Sequence, residues 1–422
     1  SGGLTPDNIG VEYAGVVFSI AESRLKRGLI WAGTNDGLVQ LTRDGGATWT
    51  DVTRNIRGLL DWGTISSIEP SRFDTATAYV TVDGHQVNNR DPWIYRTTDY
   101  GATWTLITTG IPRTPLSYVH ALREDPVRRG LLYAGTENGL YVSFDDGGRW
   151  QPLQNNLPHA PVYGIAVQER FSDVVIATYG RGFWILDDVT PLRTLTPEVA
   201  ARDAWLFPPR AAYRLRGIAG PFEAGDDPVV GTNPPYGASL TWWRRTAPDS
   251  TRPDTQAVSI IDANGRLVRT LKQVPKTGMN RVWWDLQTEP TTEAKLRTNP
   301  PYSPWLGVAP EGTPAPGIGR FSMLAPPGRY TVRLTVGAQA LEQPVEVLQD
   351  PNTRASAEEL RAQGAFVADV AADIDSTVAM INRLEVLRGQ LAALRATLAG
   401  DSSAADVRAA ADTLDRALLT VE

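Results

Sequence analysis

Across the first half of the chain, short apolar runs alternate with Gly-bearing turns, and apolar positions recur at a period of two. That is the signature of half-buried strands rather than helices. Trp31-Ala-Gly-Thr-Asn-Asp-Gly-Leu-Val39, Tyr133-Ala-Gly-Thr-Glu-Asn-Gly-Leu-Tyr141 and Ile176-Ala-Thr-Tyr-Gly-Arg-Gly-Phe-Trp184 each read as strand, hairpin, strand. An inner strand over Tyr118–Arg123 is expected to lead into Leu131–Thr136, then Gly139–Phe144, then a short outer strand from Gln151. Further on, Val258–Leu271 reads as strand, Asn-Gly hairpin, strand. Asn280–Asp285 and Pro327–Leu334 are further alternating strands. From Ser356 the period changes. Ser356-Ala-Glu-Glu359 is a capping box, and Val367, Val370, Ile374, Ile381, Leu384, Leu391, Leu394 and Leu398 follow helical spacing. Gly400 ends that helix, and Asp401-Ser-Ser403 caps a second one running to about Thr420. An antiparallel helical pair with an apolar seam is predicted.

One unit repeats. Thr42-Arg-Asp44-Gly-Gly46-Ala-Thr-Trp49, Thr97-Thr-Asp99-Tyr-Gly101-Ala-Thr-Trp104 and Ser143-Phe-Asp145-Asp-Gly147-Gly-Arg-Trp150 share the form Thr/Ser-x-Asp-x-Gly-x-x-Trp. The aspartates stand 55 and 46 residues apart, the length of one four-stranded propeller blade. A carboxylate in this position accepts N–H groups of its own turn, the glycine permits positive φ, and the Trp is expected to pack under the hairpin. Asp44, Asp99 and Asp145 are therefore read as turn-forming. A residue placed identically in every blade serves the blade, whereas a catalytic site occurs once. Four blades fit into residues 11–190, the last without a recognisable box or outer strand.

Composition narrows the classes. With 422 residues, two or three domains are expected. The net charge of −6 and the scattering of basic residues argue against nucleic-acid or anionic-membrane partners. The absence of cysteine excludes disulfides and thiolate chemistry, and three histidines (His85, His120, His159) disfavour a multi-histidine metal site. No apolar run reaches membrane-spanning length. No cofactor motif occurs. Ser1-Gly2-Gly3 has no signal-peptide character, and four blades are few for a ring, so upstream blades are expected to lie outside this chain.

The boxes, together with Arg123-Glu-Asp-Pro-Val-Arg-Arg-Gly-Leu-Leu-Tyr133 and Gly182-Phe-Trp-Ile-Leu-Asp-Asp-Val-Thr-Pro-Leu-Arg193, resemble the last blades of large secreted bacterial BNR/Asp-box proteins. These are sortilin-like and often called glycosyl hydrolases. The resemblance implies a mainly β chain: a partial Asp-box propeller over 1–195, then a domain over 196–350, then a helical hairpin over 351–422. The middle domain resembles the Ig-like β-sandwich of flagellar hook-capping proteins. The resemblance also implies a secreted, periplasmic or cell-surface protein. Sialidases share only the box. Xyloglucanase-like enzymes share more of the cadence and use two carboxylates from different blades, though neither is matched here.

Residues that occur once mark the candidate site. The second blade carries an enlarged loop, Asp83-Gly-His85-Gln-Val-Asn-Asn-Arg90-Asp91, where other blades turn tightly. Asp83, His85 and Asp91 have acid–base chemistry there; a solvated loop of local turns accounts for them as well. His120, Arg123 and Glu124 follow an inner strand and are expected to face the channel, as ligand contacts or as an ion pair. Arg181, in the matching hairpin of the fourth blade, and Arg90 are further ligand candidates. Two loops, Ala219–Gly237 and Thr288–Gly319, each contain Thr-Asn-Pro-Pro-Tyr and are expected to pin onto the propeller. Three functions follow: an extracytoplasmic propeller binding a glycan or peptide at its mouth, a glycoside hydrolase of the xyloglucanase-like or sialidase-like kind with Asp83, His85, Asp91 or Glu124 near its site, or a structural cell-surface module.

Overall fold

The computed structural model describes residues 15–215, 231–246, 256–316 and 320–421. The chain divides into two compact units, Ser1–Ala200 and Ala201–Glu422, so the two later segments expected from sequence fall into one unit.

The first unit carries four antiparallel sheets in chain order. The first holds β1 (Val17–Glu22), β2 (Ile30–Thr34), β3 (Val39–Thr42) and β4 (Thr50–Asp51). The second holds β5 (Thr64–Pro70), β6 (Ala78–Asp83), β7 (Trp93–Thr97) and β8 (Thr105–Leu106). The third holds β9 (Val119–Glu124), β10 (Leu132–Thr136), β11 (Gly139–Ser143) and β12 (Trp150–Pro152). The fourth holds β13 (Val162–Gln168), β14 (Asp173–Thr178) and β15 (Phe183–Leu186), with no outer strand among the described residues. Every strand pairs with its sequence neighbour. The inner strands touch in succession, β1 on β5, β5 on β9 and β9 on β13, which is the succession of propeller blades. Residues 11–14 of the expected blade region lie outside the described residues.

Three apolar cores lie between the sheets, one per joint. Trp31, Val39 and Leu41 meet Ile65 and Ile68 at the first joint. Tyr79 and Ile94 meet Val119 and Leu122 at the second. Tyr133, Leu140 and Val142 meet Val162 and Ile165 at the third. Strand alternation sends successive side chains to opposite joints, so each sheet is apolar on both faces. The unit ends in α1 (Thr190–Thr194) and α2 (Pro197–Ala200). Arg193 Nε donates to Asp125 Oδ1 at 2.9 Å, tying α1 to the turn after β9.

The three boxes have one geometry. Asp44 Oδ1 accepts from Thr42 Oγ1 at 2.8 Å and from the Thr48 amide at 2.9 Å. Asp99 does the same with Thr97 (2.8 Å) and Thr103 (2.8 Å), and Asp145 with Ser143 (2.8 Å) and Arg149 (2.9 Å). The Thr48 hydroxyl, then the rest of the clasp, hold the Asp44 carboxyl down at about 2. Two box tryptophans also reach the preceding sheet, Trp104 while its Nε1 donates to the Gly101 carbonyl of its own turn at 3.1 Å. Trp104 meets Trp31 edge-on at 5.9 Å, and Trp150 Nε1 donates to the Ile107 carbonyl at 2.6 Å. Among the described residues no sheet precedes that of Trp49, which is exposed.

In the second unit, β16 (Ala204–Leu206), β18 (Ala238–Arg244) and β21 (Gly278–Trp284) form one sheet. β17 (Ala212–Arg214), β19 (Ala257–Ile261), β20 (Leu267–Leu271), β24 (Gly328–Val336) and β25 (Gln339–Gln349) form a second. A small hairpin pairs β22 (Lys295–Leu296) with β23 (Thr313–Pro314). One core joins the two large sheets, with Trp242 and Trp284 facing Ile260, Val332 and Val345. β17 runs parallel to β25, a long-range pairing. The capping box forms at Ser356 and opens α3 (Ala357–Thr397). α4 (Ala405–Val421) contacts it. Arg388 pairs with Asp415 at 3.0 Å and Arg395 with Asp412 at 2.5 Å, so rising positions on α3 meet falling ones on α4. The second Thr-Asn-Pro-Pro-Tyr loop is pinned to α3 within the same unit. The buried Glu385 accepts from the Thr298 amide at 2.8 Å and the Thr298 hydroxyl at 2.7 Å. Residues 219–230 of the first such loop and 317–319 of the second lie outside the described residues.

Gly147 has φ +83°, and a Cβ there would come 2.4 Å from Ile107 Cδ1 of the preceding sheet. Gly46 has φ +96° with only Trp49 near it, at 3.8 Å. Both alanine variants strain the backbone, but only Gly147→Ala also overpacks a joint. Urea denaturation is expected to find it less stable than Gly46→Ala by about 1–3 kcal/mol; equal costs would mean that the box does not wedge into its neighbour.

Candidate functional site

The inner strands share an irregularity. The β1–β2, β5–β6, β9–β10 and β13–β14 registers each shift by one residue at the same place. The extra residue is Phe18, Ser66, His120 or Tyr163. A bulge re-aims its side chain away from the alternation, so these four residues form a set, one per sheet, at the same end of the inner strands. Ser66, His120 and Tyr163 border one cavity of about 350 Å³.

His120 is the hub. Its Nε2 lies 2.7 Å from Glu137 Oε2, just past β10, and its Nδ1 lies 3.5 Å from Asp83 Oδ2, at the end of β6. Its ring stacks on Tyr163 at 4.0 Å and 17°. Asp83 Oδ1 also accepts from the His85 amide at 2.9 Å and lies 2.7 Å from His85 Nδ1, in the short turn His85–Val87. Tyr118 joins the ends, stacking on His85 at 5.1 Å and meeting His120 edge-on at 5.1 Å. Burial, and then a hydrogen bond to Glu137, push the Tyr118 hydroxyl well above the usual phenol range. Tyr179 extends the aromatic surface, 5.8 Å from Tyr163. Tyr163 and Tyr179 are exposed, while the His120 side chain is only 4% exposed. Among the described residues, no group of three His, Cys, Asp or Glu is arranged to hold a metal ion.

A second tier lies three residues further along each inner strand, and three of its four members border the same cavity. Ala21, Glu69, Arg123 and Ala166 occupy one register position. Arg123 NH1 lies 3.6 Å from Glu69 Oε2 and donates to Ser67 Oγ at 3.2 Å. Burial raises the Glu69 carboxyl despite Arg123.

The structure thus brings Asp83, His85 and His120 together, with Arg123 deeper in the same channel. Glu124 stands apart: fully buried, it accepts from Ser71 Oγ at 2.7 Å, the Arg72 amide at 2.9 Å and the Gly130 amide at 3.2 Å. That set ties the second sheet to the third and leaves no free carboxylate for a substrate. Asp91 faces Arg113 at 3.7 Å rather than His85. Arg90 and Arg181 are exposed, and the Arg181 carbonyl accepts from Trp184 Nε1 at 3.0 Å. His159 Nδ1 lies 3.2 Å from the Asn138 carbonyl. Sequence reasoning missed Glu137, Tyr118, Tyr163, Tyr179 and Glu69. Aligning Tyr118-Val-His120 with Pro161-Val-Tyr163 as equivalent inner-strand starts would have marked His120 and Tyr163 as partners.

No family model matches the chain, and no curated protein matches it. Solved structures similar to it include YCF48 from Cyanidioschyzon merolae, 19% identical over 40% of this chain and 52% of that one, with a TM-score of 0.30. YCF48 bound to D1 peptide is 14% identical over 79% and 82%, TM-score 0.32. The GH74 xyloglucanase from Xanthomonas campestris is 16% identical over 78% and 45%, TM-score 0.32. The chain spans about half the length of the first of these. Likeness at this level carries no ligand and no residue role to this chain. Among the described residues, no helix is long and apolar enough to cross a membrane.

Glu69 titrates against its burial. Its folded-state pKa lies above the ordinary value of 4.5, so ionisation opposes folding, and stability falls as pH rises above 4.5. Glu69→Gln removes that dependence. The variant is expected to gain stability relative to the parent as pH rises from about 4 to 7. A gap that shrinks over this range would mean that Arg123 outweighs burial.

Proposed function

We propose that this chain is part of an Asp-box propeller of the secreted bacterial type, binding a glycan at the mouth bounded by His85, Tyr163 and Tyr179. In this reading the four sheets are blades of a larger array, and the second unit is an Ig-like sandwich bearing a helical hairpin. The protein works outside the cytoplasm, as the repeats it resembles do. The supporting observation is the bulge set: a once-only histidine held between Asp83 and Glu137 beside exposed tyrosine faces. Aromatic faces pack on the C–H face of a sugar ring. Carboxylate oxygens accept its hydroxyls. A peptide is the other ligand class this surface suits, with a basic side chain on the carboxylates.

A glycoside hydrolase is the second reading, because Asp83 and Glu137, carboxylates at one register position of two neighbouring sheets, flank one ring. Their contacts to the two nitrogens of His120 put the carboxylate oxygens no more than about 8 Å apart, within an inverting pair's spacing. What lies between them favours the binding reading. The buried imidazole fills the gap where a glycosidic oxygen and a water must sit.

Titration calorimetry against plant and sialylated oligosaccharides, and against basic peptides, tests the reading. One glycan class is expected to bind, Tyr163→Ala to weaken it roughly tenfold or more, and no reducing sugar to appear. Sugar release that Asp83→Asn or Glu137→Gln abolishes would establish the hydrolase instead. Peptide binding alone would change the ligand class, and binding of nothing would remove the site.

A further inference from the structure

The sheet registers make equivalent positions comparable across the repeat. On the inner strands, Ile65 and Ile68, Val119 and Leu122, and Val162 and Ile165 occupy matching places. Each pair faces the preceding sheet and is at most 4% exposed. The matching residues of β1 are Val17 and Ile20, exposed by 55% and 67%. The third strands repeat in the same way. Val39 and Leu41 match Leu140 and Val142, facing the following sheet and at most 3% exposed. Ile94 and Arg96 are the second sheet's pair, with Arg96 NH1 reaching Asp146 Oδ2 of the third sheet at 2.6 Å. The matching residues of β15 are Phe183 and Ile185, exposed by 79% and 59%.

The two open faces are therefore the two halves of one joint. Phe183 and Ile185 stand where Leu140 and Val142 do, and Val17 and Ile20 stand where the residues covering Leu140 and Val142 do. The three closed joints specify what covers each open face: an inner strand with two apolar residues against a third strand with two. A second copy of this chain carries both halves. We infer that two copies associate end to end, β15 of each against β1 of the other. Each open face is then used once, and the pair closes on itself. Two copies supply eight sheets, within the range of closed propellers. The two-fold pair leaves no face to propagate a fibre. This inference does not depend on the ligand reading: of the four residues only Ile20 borders the cavity of His120 and Tyr163, and none of the four is among the proposed ligand contacts.

Analytical ultracentrifugation of the full chain at micromolar concentrations is the test. The parent is expected to sediment at twice the chain mass of 45.9 kDa. Ile20→Asp with Val17→Asp is expected to be monomeric, as is Phe183→Asp with Ile185→Asp. Mixed in equal amounts, the two variants should form dimers again, because one intact joint remains. All four residues are exposed in the single chain, so unchanged circular-dichroism melts of the monomers separate lost association from misfolding. Leu267→Asp, on exposed β20, should leave the dimer intact. A monomeric parent, or dimers persisting in either double variant, would overturn the inference. A ladder of larger species would overturn closure of the pair.

Discussion

The first unit depends on one constraint: a sheet apolar on both faces is stable only when both faces are covered. Strand alternation sends Val39 and Leu41 one way and their neighbours the other, so each joint is built from two sheets and neither half can be buried alone. The boxes serve this constraint. Asp99 and Asp145 close a hairpin whose tryptophan and glycine press on the sheet before, and the clasp is local while its consequence is between sheets. Trp49, with the same clasp and no sheet before it among the described residues, is the one box tryptophan left exposed.

The same register produces the candidate site. A regular strand would send His120 and Tyr163 into a joint or onto the opposite face. The bulge turns them to the channel mouth, where His120 meets carboxylates from the ends of two different hairpins. Rigid strands hold the ring, so its neighbours are fixed before any ligand arrives. Glu69 and Arg123 mark the next tier, where burial and an ion pair oppose one another.

How much of this the sequence reveals follows from the range of each interaction. The box turns, the Asn264-Gly265 hairpin and the Ser356 capping box are legible because donor and acceptor lie within four residues. The strands of the third sheet are legible to within a residue because each carries its own turn punctuation. The partnership of Asp83, His120 and Glu137 is not legible, because it rests on a one-residue register shift that leaves no compositional trace. Glu124 illustrates the same limit. An acidic residue on an inner strand reads as channel-facing, yet three donors from two turns claim it. The parallel pairing of β17 with β25 joins positions too far apart for any local pattern to record.

Two apolar positions that are alike in register and opposite in environment give the most direct test of the coverage constraint. Leu140 and Phe183 are equivalent, but only Leu140 is covered. In dilute solution, Leu140→Ala should cost about 2–5 kcal/mol in chemical denaturation, and Phe183→Ala no more than about 0.5 kcal/mol. Similar costs at the two positions would contradict the account, because stability would then reside in each sheet rather than in the joints between them.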